Sequence, residues 1–342
     1  MFFVAMIRRY LVFCIGGKEM RKYFGTVLTA VVVITLAVLG FALGGVSFSS
    51  LQQETFITLL IICGVAALYC FIVGELSHNN SQMDKLWSIL PIVYTWVVAA
   101  KGNMAPRLVI YAVIVTLWGI RLTINFARKG AYRLRFWEGE EDYRWLILRE
   151  NKMFKGHRVR WAMFNLFFIS IYQNALVLFM TVPAIACMDS AAPFGVCDYL
   201  AIGFATTFLL IETAADEQQM SFYTTRNKLL KEGRKLEELP EPFSKGFNTT
   251  GLWGRARHPN YLGEQGIWLA LYLFAIGAGA AKYGIFNWTM VGPLFIILLF
   301  LGSSSFGESI SNMKYPEYHI YLAHVSKYIP LWKYKPEKYK NN

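Results

Sequence analysis

Charged residues are scarce in this sequence. They make up 16% of its 342 residues, whereas a soluble globular domain carries about a quarter. Hydrophobic residues account for 55%, and apolar runs of about 20 residues recur along the chain. These features exclude an ordinary soluble domain. They predict an all-α fold, a multi-pass transmembrane helical bundle of about seven or eight helices.

Cysteine pairs of the CxxC kind and glycine-rich phosphate loops are also missing. The five cysteines lie mostly in or beside apolar segments, where cysteine behaves as a small hydrophobe. Cys187 and Cys197 share one predicted outer loop and could pair in an oxidising compartment. No Walker motif and no dinucleotide fingerprint after a strand is present. A soluble Rossmann domain is therefore excluded, and any nucleotide must bind among the helices.

The apolar runs predict how the chain crosses the membrane. They lie at roughly 26–46, 56–74, 86–100, 106–126, 161–186, 199–214, 262–281 and 288–307. The third run is short and contains Pro91, which favours a broken or half-inserted helix.

Lys and Arg residues fall in alternate segments: the N-terminal segment, the loops at 127–160 and 215–261, and the tail. The positive-inside rule then predicts that both termini and both large loops are cytoplasmic. The membrane would be a bacterial inner membrane or the endoplasmic reticulum. The formal charge of +12 lies in these loops, so it indicates membrane orientation and not a nucleic-acid partner.

One polar stretch, GLWGRARHPNYLGEQGIW at 251–268, directly precedes the seventh run. Pro259 disfavours a helix through His258, so the polar cluster is expected at a helix start, where free N–H groups and the helix dipole favour an anion. The residues predicted to cradle an anionic cofactor are Arg255, Arg257, His258, Asn260, Tyr261 and Glu264. A basic anchor at the headgroup level is the alternative, although an anchor needs neither Asn260 nor Glu264.

The sixth run continues into a polar helical segment. Glu212, Asp216 and Gln219 are spaced to share one helix face, and Arg226 lies two turns further. The acidic residues could receive ribose hydroxyls or an adenine amine, and Arg226 could meet a phosphate. Asp216 is therefore a predicted cofactor contact, with a solvated charged helix end as the alternative.

The segment ELSHNNSQMDKLW at 75–87 supplies the candidate catalytic acids, Glu75 and Asp84. Acidic residues at membrane depth are functional candidates, and a carboxyl group in an apolar site stays protonated more easily. Either acid could then polarise a carbonyl group on a lipid-like substrate, with Trp87 beside it as a substrate contact. The alternative is a solvated loop in which Asp84 caps the next helix.

Two further groups of residues complete the predicted site. Arg121, Asn125 and Arg128 fall on one helix face and are predicted to line a substrate cavity. Tyr315 and Tyr318, in the aromatic tail after the eighth run, are predicted to close over a cofactor. An aromatic belt at the membrane interface is the alternative for the tail.

The stretch at 251–268, with ETAADEQQMSFY upstream and KYPEYHIYLAHVSKYIP downstream, resembles the steroid 5-alpha-reductase C-terminal superfamily, in particular its bacterial branch. Asp84 and Trp87, spaced as Asp-x-x-Trp, and the WGIRL stretch from Trp118 onward add to the resemblance. The extent of the resemblance predicts three parts of the chain: N-terminal transmembrane helices at 1–74, a reductase-like membrane domain at 75–335 and a basic tail at 336–342.

Characterised members of that superfamily bind NADPH on the cytoplasmic side and reduce a carbon–carbon double bond conjugated to a carbonyl. The resemblance implies that Asp216 lies near the adenosine end of NADPH and that Tyr315 and Tyr318 help to close its site. The residues that match the family's cofactor cradle are Arg257, His258, Asn260, Tyr261 and Glu264. The Glu and Tyr that steroid reductases place near the substrate carbonyl have no unambiguous equivalents here; Glu75 or Asp84 could replace the Glu.

We therefore expect an NADPH-dependent reductase of an apolar, lipid- or steroid-like enone, with membrane lipids as further partners. The RHPxYxG pattern also occurs in isoprenylcysteine carboxyl methyltransferases and phospholipid methyltransferases. An S-adenosylmethionine-dependent methyltransferase of a lipid or prenylated thiol is thus the first alternative. A non-catalytic lipid-binding membrane protein is the second, and no metal ion is expected in any of the three.

Overall fold

The computed structural model describes residues 17–281, 283, 285–331, 333 and 334, with the backbone alone for residues 17–25. The predicted basic tail at 336–342 lies outside these residues. Helices joined by loops make up the described part, which contains no β-sheet. In chain order they are α1 (Gly17–Gly44), α2 (Ser50–Ser77), α3 (Gln82–Leu86), α4 (Leu90–Lys101), α5 (Pro106–Ala127), α6 (Tyr143–Arg149), α7 (Arg158–Phe164), a π-helix (Asn165–Tyr172), α8 (Gln173–Thr181), α9 (Pro183–Ala186), α10 (Val196–Lys231), α11 (Pro259–Gly277), α12 (Val291–Lys314) and α13 (Tyr318–His324).

Each of the eight predicted apolar runs is largely helical, although the run at 161–186 is divided among α7, the π-helix, α8 and α9. Among the described residues, six helical segments are long and apolar enough to cross a membrane: Thr26–Gly44, Ser50–Ser77, Pro106–Ala127, Arg158–Ala186, Val196–Lys231 and Trp288–Lys314. The run that contains Pro91 forms the short helix α4, with the proline in its first turn, where the missing N–H group costs no hydrogen bond. The prediction of a multi-pass helical bundle is confirmed.

Helices α10 and α11 pack closely because glycines of α11 face α10. A Cβ atom at Gly263 would lie 2.5 Å from the Cβ atom of Glu212, and one at Gly266 would lie 2.3 Å from the ring of Phe208. Small residues allow helices to approach closely inside a membrane bundle. The polar start of α11 is thereby held against the polar part of α10.

The segments predicted to hold the site meet at one end of the bundle. The Lys85 ammonium group donates to the carbonyl oxygen of Phe136 (2.7 Å), which joins the 75–85 segment to the loop before α6. Arg144 donates to Ser303 of α12 (3.4 Å), and Arg226 of α10 donates to Tyr315 of the tail (3.1 Å). These contacts bring both basic loops, the 75–85 segment and the tail together.

A buried ion pair stabilises the opposite end of the helical bundle. Arg107 donates to both carboxylate oxygens of Asp198, at 2.7 and 3.0 Å, and to carbonyl oxygens of the loop between α9 and α10. Cys187 and Cys197 are both free, so they do not form the disulfide that the sequence left open. Among the described residues, no group of His, Cys, Asp and Glu could hold a metal ion.

Candidate functional site

A buried charge network joins α5, α10 and α11. Arg121 forms ion pairs with Glu212 and with Asp216, the latter at 2.6 Å. Asn125 and Asn260 donate to the two carboxylate oxygens of Asp216, at 3.0 and 3.1 Å. Residues predicted separately as substrate contacts and as cofactor contacts thus belong to one network, and Asp216 is its centre.

Glu264 lies behind this network, within the core of the bundle. Its two carboxylate oxygens accept hydrogen bonds from the indole nitrogens of Trp118 (2.8 Å) and Trp268 (3.1 Å). Its exposed fraction is 4%. Glu264 therefore braces the wall of the site, because its hydrogen bonds are made to the protein itself.

Several buried polar atoms around Asp216 have no partner among the described residues. They are Glu212 Oε2, Gln219 Oε1, Asn260 Oδ1 and Arg121 Nε. A buried polar atom without a partner costs about 1–3 kcal/mol, so such atoms are uncommon unless a ligand or water completes them. Three of the four are acceptor oxygens, and together they would suit a ligand that carries hydroxyl or amino groups.

Two of these acceptors, on Glu212 and Gln219, belong to a longer polar stripe on α10. Its members recur at intervals of three or four residues and so share one helix face: Glu212, Asp216, Gln219, Tyr223 and Arg226. At 1.5 Å per residue the stripe extends over about 21 Å. Acceptors occupy one end and the middle, and the Tyr223 ring lies beside the Arg226 guanidinium group at the other end.

Beyond the network, tyrosines and arginines from four segments lie near one another in a region that we call the aromatic cleft. Its residues are Tyr143, Arg144, Tyr223, Arg226, Tyr261 and Tyr315. Tyr143 lies within electrostatic range of Tyr261 and Tyr315. The Arg226 guanidinium group lies over the ring of Tyr223, 4.5 Å from its centroid. Partial burial raises the pKa of Tyr143, although 53% of its surface is exposed.

The predicted cradle residues Arg257 and His258 contact a residue that sequence reasoning missed. Glu308 of α12 accepts from Arg257 Nε (2.7 Å) and lies 3.0 Å from His258 Nε2. Lys327 approaches the same carboxylate to 3.9 Å. Glu308 could have been recognised from the sequence, because an acidic residue near the end of an apolar run is a functional candidate.

Arg257 and His258 also hold the tail against the start of α11. Arg257 donates to the carbonyl oxygens of Leu322 (2.9 Å) and Val325. The His258 ring stacks on Tyr261, with centroids 5.1 Å apart. Burial lowers the pKa of His258, whereas Glu308 acts in the opposite direction.

The other predicted cradle and lid residues take different positions. Helix α11 begins at Pro259 as predicted, and Arg255 is exposed ahead of it. Tyr318 packs in an edge-on contact against Phe247, with centroids 4.9 Å apart. Its neighbour Tyr315 reaches the aromatic cleft through Arg226.

The two candidate acids lie apart. Asp84 accepts a hydrogen bond from Trp145 Nε1 (2.8 Å) and lies 3.6 Å from Arg144. Burial raises the pKa of Asp84; the nearby Asp142 acts in the same direction and Arg144 opposes it. Asp84 therefore stands at the Arg144 edge of the aromatic cleft. Glu75 accepts from Asn165 (2.7 Å) in a different pocket.

A lateral cleft of about 250 Å³ lies between α5 and α10. Arg121, Asn125 and Asp216 form its polar part, and Arg128, which pairs with Glu217, lies at its rim. Its apolar walls are exposed on the outside of the bundle: Leu117, Ile120 and Ile124. The three α5 residues that were predicted to line a cavity therefore do line one. Trp87, which was predicted to contact the substrate, packs against the hydrophobic core instead.

Comparison with known proteins gives a family. The model of the family described as "Protein of unknown function (DUF1295)" matches residues 70–325. An uncharacterized protein of Schizosaccharomyces pombe is 35% identical over 286 residues, which cover 78% of this chain and 79% of that protein. No solved structure matches the chain.

Proposed function

We propose that this chain, which belongs to the DUF1295 family, is an NADPH-dependent membrane reductase. Its substrate would be a lipid- or steroid-like molecule with a carbon–carbon double bond conjugated to a carbonyl. The polar stripe of α10 carries the proposal, because its buried acceptors lack partners and its far end bears Arg226 beside the aromatic cleft.

The residues present fit a dinucleotide. Ribose hydroxyls and an amino or carboxamide group would donate to the unpaired oxygens of Glu212, Gln219 and Asn260. A phosphate would meet the guanidinium group of Arg226, which holds charge at every physiological pH. The cleft tyrosines would stack on the flat rings of the nucleotide.

The chemistry divides between the cofactor and the protein. When bound, NADPH supplies a hydride to the β-carbon of the enone. Asp84 would hold a proton at the Arg144 edge of the cleft and give it to the carbonyl oxygen, where negative charge develops. The resulting enol would become the saturated ketone by gaining a proton at the α-carbon and losing one from oxygen, and Asp84 would regain its proton from water. Trp145 and Arg144 would orient the Asp84 carboxyl group.

The lateral cleft suits an apolar substrate. Its exposed walls of leucine and isoleucine would face lipid, so that a substrate dissolved in the membrane could enter sideways. Arg121 and Asn125, in the polar part of the cleft, would then contact a polar group of the substrate other than the carbonyl that Asp84 meets. Apolar surroundings would keep water from the reacting atoms.

The proposed site faces the cytoplasm. The loops at 127–160 and 215–261 carry most of the basic residues and lie at the same end of the bundle as the aromatic cleft. By the positive-inside rule that end is cytoplasmic, where NADPH is available. Both termini would then be cytoplasmic as well.

Thermal stabilisation of the detergent-purified protein tests the proposal. NADPH, NADH and S-adenosylmethionine are compared at a hundredfold excess over the dissociation constant, where binding adds about 2.7 kcal/mol of stability. We expect the largest rise in melting temperature with NADPH. A rise with S-adenosylmethionine alone would move the assignment to methyl transfer, and no rise with any of them would favour a non-catalytic lipid-binding protein.

Two variants tie the binding to the stripe. Gln219→Leu removes a buried unpaired oxygen, so it should fold at least as well as wild type and lose much of the NADPH-induced rise. Arg226→Ala should lose the rise too, whereas Lys228→Ala, exposed on the same helix, should keep it. An undiminished rise in both stripe variants contradicts the placement of the nucleotide.

A further inference from the structure

A second polar pocket lies apart from the aromatic cleft, between the end of α2 and the start of α7. We call it the α2–α7 pocket; it encloses about 230 Å³ and is lined by Gly74, Glu75, His78, Asn80, Arg149 and Trp161. Pockets for drug-sized ligands are larger, about 300–1,000 Å³. The space therefore suits one small polar group.

Asn80 points an unpaired donor into this pocket. Its Oδ1 atom accepts from Arg149 Nη2 (2.9 Å) and from Trp161 Nε1 (3.2 Å), and two donors on one side fix the orientation of the amide group. Its Nδ2 atom is buried and has no partner among the described residues. Only 2% of Asn80 is exposed.

Gly74 leaves room beside that donor. A Cβ atom at Gly74 would lie 3.2 Å from Asn80 Nδ2 and 3.3 Å from Asn165 Nδ2. A larger residue would fill the floor of the pocket. A buried amide donor without a partner costs about 1–3 kcal/mol, so the pocket calls for an acceptor atom on a ligand.

The charged residues of the pocket specify the ligand further. Arg149, which also pairs with Glu141, provides a cation beside the Asn80 donor, and together they suit the phosphate group of a ligand that carries a balancing positive charge. Glu75 accepts one hydrogen bond from Asn165 (2.7 Å) and lines the same pocket. Its carboxylate suits an ammonium group, so one ligand that carries both charges would satisfy the pocket.

The surroundings of the pocket place it at the headgroup level of the membrane. Helix α2 is one of the candidate membrane spans and ends at Ser77. Beside the pocket, Leu76 of α2 and Val159 of α7 are each 77% exposed. Exposed apolar residues next to a Trp and an Arg are typical of the boundary between lipid tails and headgroups.

We propose that the α2–α7 pocket binds the headgroup of a membrane phospholipid that carries a primary amine. The phosphate contacts Asn80 and Arg149, and the ammonium group contacts Glu75. The acyl chains lie along the exposed faces of α2 and α7. This site is independent of the proposed reductase chemistry, since it uses neither the α10 stripe nor Asp84.

Native mass spectrometry of the full-length protein tests the proposal. The purified protein is incubated with equal amounts of phosphatidylethanolamine, phosphatidylcholine and phosphatidylglycerol that have the same acyl chains. We expect phosphatidylethanolamine to be retained about tenfold more than phosphatidylglycerol, a difference of about 1.4 kcal/mol in binding. Equal retention of the three lipids overturns the proposal.

Two nearly isosteric variants, Asn80→Asp and Glu75→Gln, test the phosphate contact and the ammonium contact separately. Asn80→Asp keeps the acceptor for Arg149 and Trp161 but replaces the unpaired donor with an oxygen, so retention of phosphatidylethanolamine should fall about tenfold. Asn151→Asp, an exposed position in the loop after α6, makes the same charge change and should retain the lipid. Glu75→Gln still accepts from Asn165 and should lose the preference for the amine lipid.

Wild-type retention by Asn80→Asp, or an unchanged lipid preference in Glu75→Gln, overturns the proposal. The melting temperature and elution volume of each variant show that it is folded.

Discussion

Asp84 is the residue on which the proposed chemistry depends most. Burial raises the pKa of its carboxyl group, and Trp145 and Arg144 hold it at the edge of the aromatic cleft. The sequence left Glu75 and Asp84 as equal candidates. The structure distinguishes them by position, because Glu75 faces the α2–α7 pocket.

Asp84→Asn should separate chemistry from binding. Asparagine keeps an acceptor for Trp145 but cannot donate a proton, and general acid catalysis contributes at least about a hundredfold. We expect the rate of enone reduction to fall by about that factor, with unchanged NADPH affinity. The melting temperature should stay or rise, because burial disfavours the ionised carboxylate.

Glu138→Gln is the matched control, since Glu138 is an exposed acid in the neighbouring loop. It should reduce the enone at the wild-type rate. An Asp84→Asn variant that is equally fast would show that Asp84 is not the proton donor.

His258 gives the fold a dependence on pH. Burial lowers its pKa below the ordinary value of 6.5, so at pH values between the folded and the unfolded pKa the unfolded chain binds more protons. The contribution of His258 to stability is therefore complete above about pH 6.5 and is lost as the pH falls through the folded pKa. Thermal melts from pH 7.5 downward should show a slope that His258→Gln reduces; an identical slope in the variant would contradict the assignment.

At the scale of the helices, the close contact between α10 and α11 determines the geometry of the site. Asp216 of α10 accepts from Asn260 of α11 (3.1 Å), and that distance depends on the glycines between the two helices. The motif at 251–268 therefore owes part of its composition to packing. Its glycines are as necessary to the site as its charged residues.

Gly263→Ala tests this packing. The new methyl group would lie 2.5 Å from the Cβ atom of Glu212 and 2.8 Å from the carbonyl oxygen of Phe208, and such overpacking costs about 1–3 kcal/mol. We expect a lower melting temperature and weaker NADPH binding. Gly203→Ala in α10, where no atom lies within 4 Å of the added Cβ, should leave both unchanged; equal effects at the two positions would contradict the packing argument.

The sequence predicted helices better than contacts. Apolar length and the position of Pro91 and Pro259 were enough to locate the runs and the start of α11, because these depend on local chemistry. The spacing of Glu212, Asp216 and Gln219 also predicted one helix face. The partners of Arg257 and His258 could not be predicted in this way, since Glu308 lies about 50 residues further along the chain and spacing reports nothing about contacts between distant segments.

For the whole molecule, orientation in the membrane is the property that links the fold to the proposed function. The basic loops and the aromatic cleft lie at one end, and the loop fixed by Arg107 lies at the other. NADPH can reach the site only if the first end is cytoplasmic. The orientation is therefore a necessary condition for the reductase proposal.

Cysteine labelling in intact cells tests that orientation. Ala191→Cys and Lys235→Cys place thiols at exposed positions at the two ends. We expect a membrane-impermeant maleimide to label Ala191→Cys directly and Lys235→Cys only after permeabilisation. The wild-type protein, whose Cys197 lies at the same end as Arg107, provides the background signal, and the reverse pattern would contradict the predicted orientation.

Transfer of hydrogen from the cofactor to the substrate tests the central claim most directly. The purified protein is incubated with a panel of enone lipids and steroids and with NADPH that carries deuterium at the position of the transferred hydride. The account predicts a reduced product with deuterium at its β-carbon, formed by the wild type, about a hundredfold more slowly by Asp84→Asn, and more slowly by Gln219→Leu at the same NADPH concentration. If NADPH stabilises the protein but no enone gains deuterium, the protein binds the nucleotide for another purpose and is not the reductase proposed here.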